Sequence, residues 1–171
     1  AGGRLRFPSR CLLAAAMNPC PCGYLGHPTR RCTDNADAVH RYRSRISGPL
    51  LDRIDLHLEV PAQPPSLSVG TGGEDSASAR RRVVAARERM LARQQCANAA
   101  LDSRGLRTHL AAAADALSLL RQAVDELGLS ARAHDRICKV ARTIADLDTR
   151  DAVGVDDMAE AIGYRVLDRP R

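Results

Sequence analysis

The chain has 171 residues, 44% of them apolar but only 2% aromatic, and a formal net charge of +6. No apolar run approaches the roughly 20 residues needed to cross a bilayer, which excludes a membrane-spanning segment; the length suits one domain, or one domain and part of another. Lys139 is the only lysine, so arginine is the default cation and the positive balance alone points only weakly to a polyanionic partner.

Residues 11–17 form a short apolar run that predicts a strand buried on both faces, ending at Asn18. Strand ends are where α/β folds place their chemistry. Asn18 has two readings: a neutral amide that orients a water or a phosphate oxygen, or the start of an Asn-Pro turn. Residues 18–35 are rich in Pro, Gly, Cys and Thr and read as a loop. Cys20, Cys22 and Cys32 supply three soft ligands there, with His27, Asp34 and His40 as candidates for the fourth position that zinc requires. The alternative is reduced thiols packing a Pro-rich turn. The other cysteines, Cys11, Cys96 and Cys138, sit in apolar or helical patterns and read as small buried hydrophobes. One cluster and three scattered thiols make a poor disulfide framework and fit a reducing, cytoplasmic setting.

A helix is expected from Asp37 to about Ser47, with Arg41, Tyr42, Arg43 and Arg45 close together. Residues 54–60 then alternate, with Ile54, Leu56, Leu58 and Val60 on one side and Asp55, His57 and Glu59 on the other, which predicts a half-buried strand. Arg53 stands just before it, flanked by Asp52 and Asp55. Either it makes a local ion pair, worth about 0–1 kcal/mol at a surface, or it reaches a neighbouring subunit's nucleotide and stabilises charge in phosphoryl transfer. Residues 62–78 are a linker by composition.

Beyond the linker the pattern is helical. A first helix is predicted over 78–97, with Val83, Ala86, Met90 and Ala97 on one face. Its arginines (Arg80, Arg81, Arg82, Arg87, Arg89 and Arg93) form either a nucleic-acid track or a solvated face. A second is predicted over 108–127, closed by Gly128. A third is capped by Ser130 and runs to Leu147 with Ala133, Ile137, Val140, Ala141, Ile144 and Leu147 in register. A fourth covers 155–164. Arg132 lies in the first turn of the third helix, where a cation is disfavoured by roughly 0.3–1 kcal/mol unless an anion sits beside it. Arg136 and Lys139 continue that face. No phosphate-cradling G-x-x-x-x-G-K-[ST] loop is present in the sequence.

Three stretches, FPSRCLLAAAMNPCPCGYLGHP, RYRSRISGPLLDRIDLHLEVP and LSARAHDRICKVARTIADL followed by AEAIGYR, resemble the C-terminal part of the magnesium-chelatase-like AAA+ ATPases of the ComM/YifB group. The likeness runs essentially end to end. The chain also lacks an initiator Met and opens on an element-like pattern, so it reads as a piece of a longer protein.

The resemblance implies an α/β fold class. Residues 1–61 would be the last strands of a P-loop core, 62–78 a linker and 79–171 a mostly helical lid domain. It further implies that Asn18 acts as sensor 1 near the γ-phosphate, Arg53 as an arginine finger across a subunit interface, and Arg132 as sensor 2. The nucleotide-binding Walker elements would lie upstream. Implied for the full-length protein are ATP and Mg2+, a hexameric ring and DNA as partner, with helicase or branch-migration activity in transformation or recombination. Two other readings stay open: the ATPase subunit of a metal-insertion motor, and a non-catalytic zinc-stabilised nucleic-acid-binding module. Family members usually carry a second C-x-C pair where this chain has Cys32-Thr33-Asp34, so the resemblance implies a zinc site of Cys20, Cys22, Cys32 and Asp34, with His27 as the alternative fourth ligand.

Overall fold

A computed structural model describes residues 11–62 and 73–165. The chain divides into two compact units, Ala1–Arg45 and Ile46–Arg171. The linker expected over 62–78 falls largely outside the described residues.

In the first unit a run of turns leads into α1 (Ala36–Arg43). Asn35 caps this helix by accepting the Ala38 N–H at 2.8 Å, and Asp37 in the first turn with Arg41 and Arg43 in the last complements the helix dipole. No residue of α1 is buried. Its Arg43 Nε donates to the Pro19 carbonyl at 3.1 Å, which ties the helix to the cysteine loop.

The second unit holds α2 (Gly48–Leu51), α3 (Ser76–Gln94), a single 3-10 turn (Asn98–Ala100), α4 (Ser103–His109), α5 (Ala114–Leu127), α6 (Ala131–Leu147) and α7 (Val155–Gly163). Side-chain caps start three of them: Asp75 accepts from Ser78 N–H, Asp102 from Gly105 N–H, and Ser130 from Ala133 N–H. Gly128 closes α5 in the left-handed conformation (φ 61°). α6 is central and packs against α3, the 3-10 turn, α4 and α7, while α5 packs on α7. The core is small-residue rich: Ala116, Leu120, Ile137, Cys138, Ala141, Ala145, Val153, Met158 and Ala161 are buried. Leu120, Ile137 and Met158 each contribute on the order of 1.5–3 kcal/mol by burial.

The mostly helical lid part of the α/β expectation is found, but its strands are not: the described residues contain no strand. Their only β pairing is an isolated parallel bridge between Ala112 and Val153. Residues 11–18 are irregular and solvent-facing, with Leu12 96% and Leu13 70% exposed, and Cys11 is exposed rather than buried. Residues 56–60 are likewise irregular and do not alternate: Leu56, Leu58, Glu59 and Val60 face solvent and only His57 is buried. The cause is physical. A strand exists through ladder hydrogen bonds to a neighbour, and no neighbouring strand is present among the described residues. Instead, the His57 N–H donates to the Tyr164 carbonyl at 2.8 Å and Arg165 Nη1 donates to the Ile54 carbonyl, which pins the segment to the end of α7.

The helix expected over 108–127 is also broken, into α4 and α5. Val153 donates to the Ala111 carbonyl and accepts from the Ala113 N–H, both at 3.0 Å, and Ala111 takes φ 48°. Val153 is fully buried in this arrangement. Its insertion overrides the high helix propensity of the Ala-rich run.

Candidate functional site

The cysteine loop is built by local turns. The Gly23 N–H donates to the Cys20 carbonyl at 3.1 Å, and Gly23 has φ 81°, a conformation that favours glycine. A Cβ there would sit 3.7 Å from Asn18 Nδ2, so the exposed Asn18 amide lies over this glycine. The turn brings the three thiols together, with Sγ separations of 3.4 Å (Cys20–Cys22), 3.5 Å (Cys22–Cys32) and 3.6 Å (Cys20–Cys32). These are far longer than a disulfide's roughly 2.05 Å. They approach the edge of about 3.8 Å expected for a tetrahedron of thiolates around a zinc at about 2.3 Å. Asp34 completes the group: its Oδ2 accepts the Cys22 N–H at 2.9 Å, and one ligand atom from each of the four residues lies within 4.8 Å of all the others.

His27 is engaged elsewhere. Its Nδ1 accepts from the N–H groups of Thr29 (3.2 Å) and Arg30 (3.1 Å), and it is not part of the four-residue group. The cluster biases its own protonation. Asp34 raises the Cys22 thiol, but the backbone N–H groups of Tyr24 and Thr33 and the Cys20 thiol outweigh it and bring Cys22 down to about 7. Desolvation and the neighbouring thiols push Cys32 up to about 11. Asp34 is held below the usual carboxylate range, first by its hydrogen bonds from Cys22.

Arg53 and Arg132 lie in the second unit, and both are exposed. Arg53 follows α2 and its Nη1 donates to the Pro49 carbonyl, so of its two readings the local ion pair with Asp52 or Asp55 is not the one found. Arg136 takes that carboxylate instead, and its Nε donates to the Asp52 carbonyl at 2.9 Å. Arg132 follows the cap of α6. The α2 turn and the α5–α6 junction together line a cleft of about 420 Å³, formed by Gly48, Pro49, Leu51, Asp52, Leu127, Gly128, Leu129 and Ser130. Arg53 follows one wall in sequence and Arg132 the other. Sequence reasoning missed Arg136 as the residue that joins these walls, because its partner lies 81 positions away.

The arginine face of α3 is partly spent inside the fold. Arg93 grips the fully buried Asp146 through both Nη atoms, at 2.6 and 2.8 Å. Arg89 pairs with Asp151 and Arg82 with Glu74.

Two family models match the chain: the C-terminal model of magnesium chelatase subunit ChlI over residues 73–165 and the ChlI model over residues 1–67. The chain belongs to the magnesium chelatase ChlI family. Among relatives of this ChlI-family chain, YifB of Escherichia coli K12 is 44% identical over 168 residues, covering 97% of the chain. The competence protein ComM of Haemophilus influenzae is 41% identical over 172 residues, covering 99%. A Mycobacterium bovis protein is 34% identical over 163 residues, covering 93%. The ChlI-family chain spans about a third of the length of each. None of its described helices is long and apolar enough to cross a membrane.

Proposed function

We propose that the chain is the C-terminal part of a ring-forming AAA+ ATPase that uses ATP and Mg2+ to drive DNA processing. The observation that carries this reading is the 41% identity with the competence protein ComM across 99% of the chain. In the full-length, cytoplasmic oligomer, expected to be a hexamer, Asn18 orients water or a phosphate oxygen with a neutral amide, which avoids the repulsion a carboxylate would meet beside polyphosphate. Arg53 stabilises charge at a neighbouring subunit's nucleotide. Arg132 acts with the free N–H groups of the α6 terminus on an anion. The exposure of both arginines, with the nearby Asp55 occupied by Arg136, supports their availability.

ATP turnover by the full-length protein, with and without branched DNA, tests the reading. Arg53→Ala is expected to lower turnover by 10³-fold or more, in line with arginine fingers, while the 171-residue chain alone turns over no ATP. Unchanged turnover in Arg53→Ala would overturn the assignment.

The ChlI descriptions of both matching family models favour a second reading, a metal-insertion motor whose partner is a protein complex. Turnover that is indifferent to DNA would select it.

We further propose zinc at Cys20, Cys22, Cys32 and Asp34. The thiol spacing fits a tetrahedral ion, and Asp34 supplies an oxygen where the resemblance leads one to expect a fourth thiolate. Bound zinc would cross-link a loop that otherwise has only short turns to hold it. Metal analysis of the purified chain checks this, with one equivalent expected.

A further inference from the structure

Outside the thiol cluster, the same loop carries an organised aromatic and cationic group. The Arg30 guanidinium lies over the Tyr24 ring, 5.2 Å from its centroid, and its Nη1 donates to the Tyr24 hydroxyl at 2.8 Å. The His27 ring meets the Tyr24 ring edge-on at a centroid distance of 5.8 Å. The backbone N–H of Arg30 donates to His27 Nδ1, so the two flanking groups are fixed to one turn. Arg31 follows and is exposed, as are Arg41 and Arg45. Among the described residues these arginines form no ion pair, and of the first unit's two carboxylates Asp34 is turned into the thiol cluster. Its positive charge is therefore unspent, in contrast to that of Arg82, Arg89 and Arg93 in α3, which are paired with Glu74, Asp151 and Asp146.

We infer that this loop is a binding surface for single-stranded nucleic acid, with the Tyr24 ring, held by Arg30 and His27, as the platform for a base and Arg30 and Arg31 as phosphate contacts. An aromatic ring offers a base a face to stack on, and unpaired bases alone have that face free. Arginine beside it meets the phosphate. The inference names a DNA-contacting element for the reading above and rests on it for the identity of the partner. The test involves no nucleotide hydrolysis, so failure of either reading is seen separately.

The experiment is fluorescence anisotropy of the whole 171-residue chain with labelled dT20 over a salt series. The expected result is binding that weakens with salt. Arg30→Ala with Arg31→Ala should bind roughly tenfold more weakly and with a salt slope smaller by about 1.4, since each single-strand phosphate contact contributes about 0.7. Tyr24→Ala should also weaken binding roughly tenfold, whereas Tyr24→Phe, which keeps the ring, should stay within about twofold of the parent. Joint replacement of Arg80, Arg81 and Arg87 by Ala should leave binding unchanged. Absence of binding at low salt, parent-like binding by the Arg30/Arg31 pair or by Tyr24→Ala, or a loss confined to the α3 variant would overturn the inference. So would equal competition by a 20-bp duplex or by polyglutamate, because the loop would then be reading charge without base faces.

Discussion

The thiol loop and the helical unit hold their shape by opposite means. In the described part of the first unit only Cys20 is buried, and α1 buries nothing; three thiols, one carboxylate and a few turn hydrogen bonds set its conformation. In the helical unit, Leu120, Ile137 and Met158 are sealed in an apolar core, and a polar network runs through the same interior. Asp146 accepts from Arg93, Arg142 and Asn98, while Arg142, itself fully buried, donates to the carbonyls of Asp151 and Arg150 at 2.6 Å. Arg150 in turn pairs with the buried Asp157, whose Oδ2 accepts the Gly154 N–H at the start of α7. A core of this kind folds by excluding water, whereas a loop without one would gain its stability from the proposed zinc cross-link.

The largest effect expected on this contrast comes from Asp146→Ala. It strands Arg142 and Arg93 without their carboxylate, and removing one partner of a buried pair costs about 3–5 kcal/mol. Thermal unfolding followed by circular dichroism should register the loss, while the proposed zinc content of the loop stays at its parent value. If the helical unit melts unchanged, the network is not what fixes α3 to α6.

Chelation probes the other side. At a free zinc concentration 100 times its Kd, a metal stabilises its folded site by about 2.7 kcal/mol. Adding EDTA should therefore loosen protease protection around residues 20–34 and leave the melting of the helical unit in place. Equal loss in both would dissolve the distinction.

Acid sharpens the comparison further. Burial tends to raise the Asp146 carboxyl, but the hydrogen bonds from Arg93 and Asn98 and the charge of Arg142 hold it below the ordinary range. A carboxyl depressed in the folded state stabilises above its unfolded value of about 3.9, and this contribution is lost as pH falls through the lower folded value. The helical unit should thus lose stability below about pH 4, and Asp146→Asn should flatten that part of the profile in an acid titration of ellipticity.

The smallest expected effect is Ser130→Ala, which removes the cap of α6 at a cost of about 1 kcal/mol. Chemical denaturation should show a lower midpoint with an unchanged slope.

Local signals carried much of the helical unit. The Ser130 cap, the Gly128 stop and the four-residue spacing of Ala133, Ile137 and Ala141 placed α6 and the end of α5 where they are found. The thiol spacing likewise grouped Cys20, Cys22 and Cys32, which the fold brings to within 3.6 Å of one another. The alternation over 54–60 misled because periodicity records which side chains share a side, not whether a neighbouring strand exists to pair with. His57, on the side read as solvent-facing, is the buried one. Nor did sequence separate the arginines of α3: Arg93 and Arg87 look alike until Asp146, 53 positions from Arg93, is brought beside one of them.

The amino-acid sequence by itself determined the helix caps and stops, the Ala-rich packing faces and the set of soft ligands, because each depends on chemistry within a turn or two of chain. Tertiary structure alone decided that His27 turns its Nδ1 to the Thr29 and Arg30 N–H groups, that Val153 splits α4 from α5, and that Arg142 is interior and Arg93 half-buried while Arg30 and Arg31 stay outside. Those outcomes depend on which group reaches a buried charge or backbone N–H first. An unpaired charge or amide is too costly to leave inside a protein, so the three-dimensional partner, not the local pattern, fixes the role of each residue.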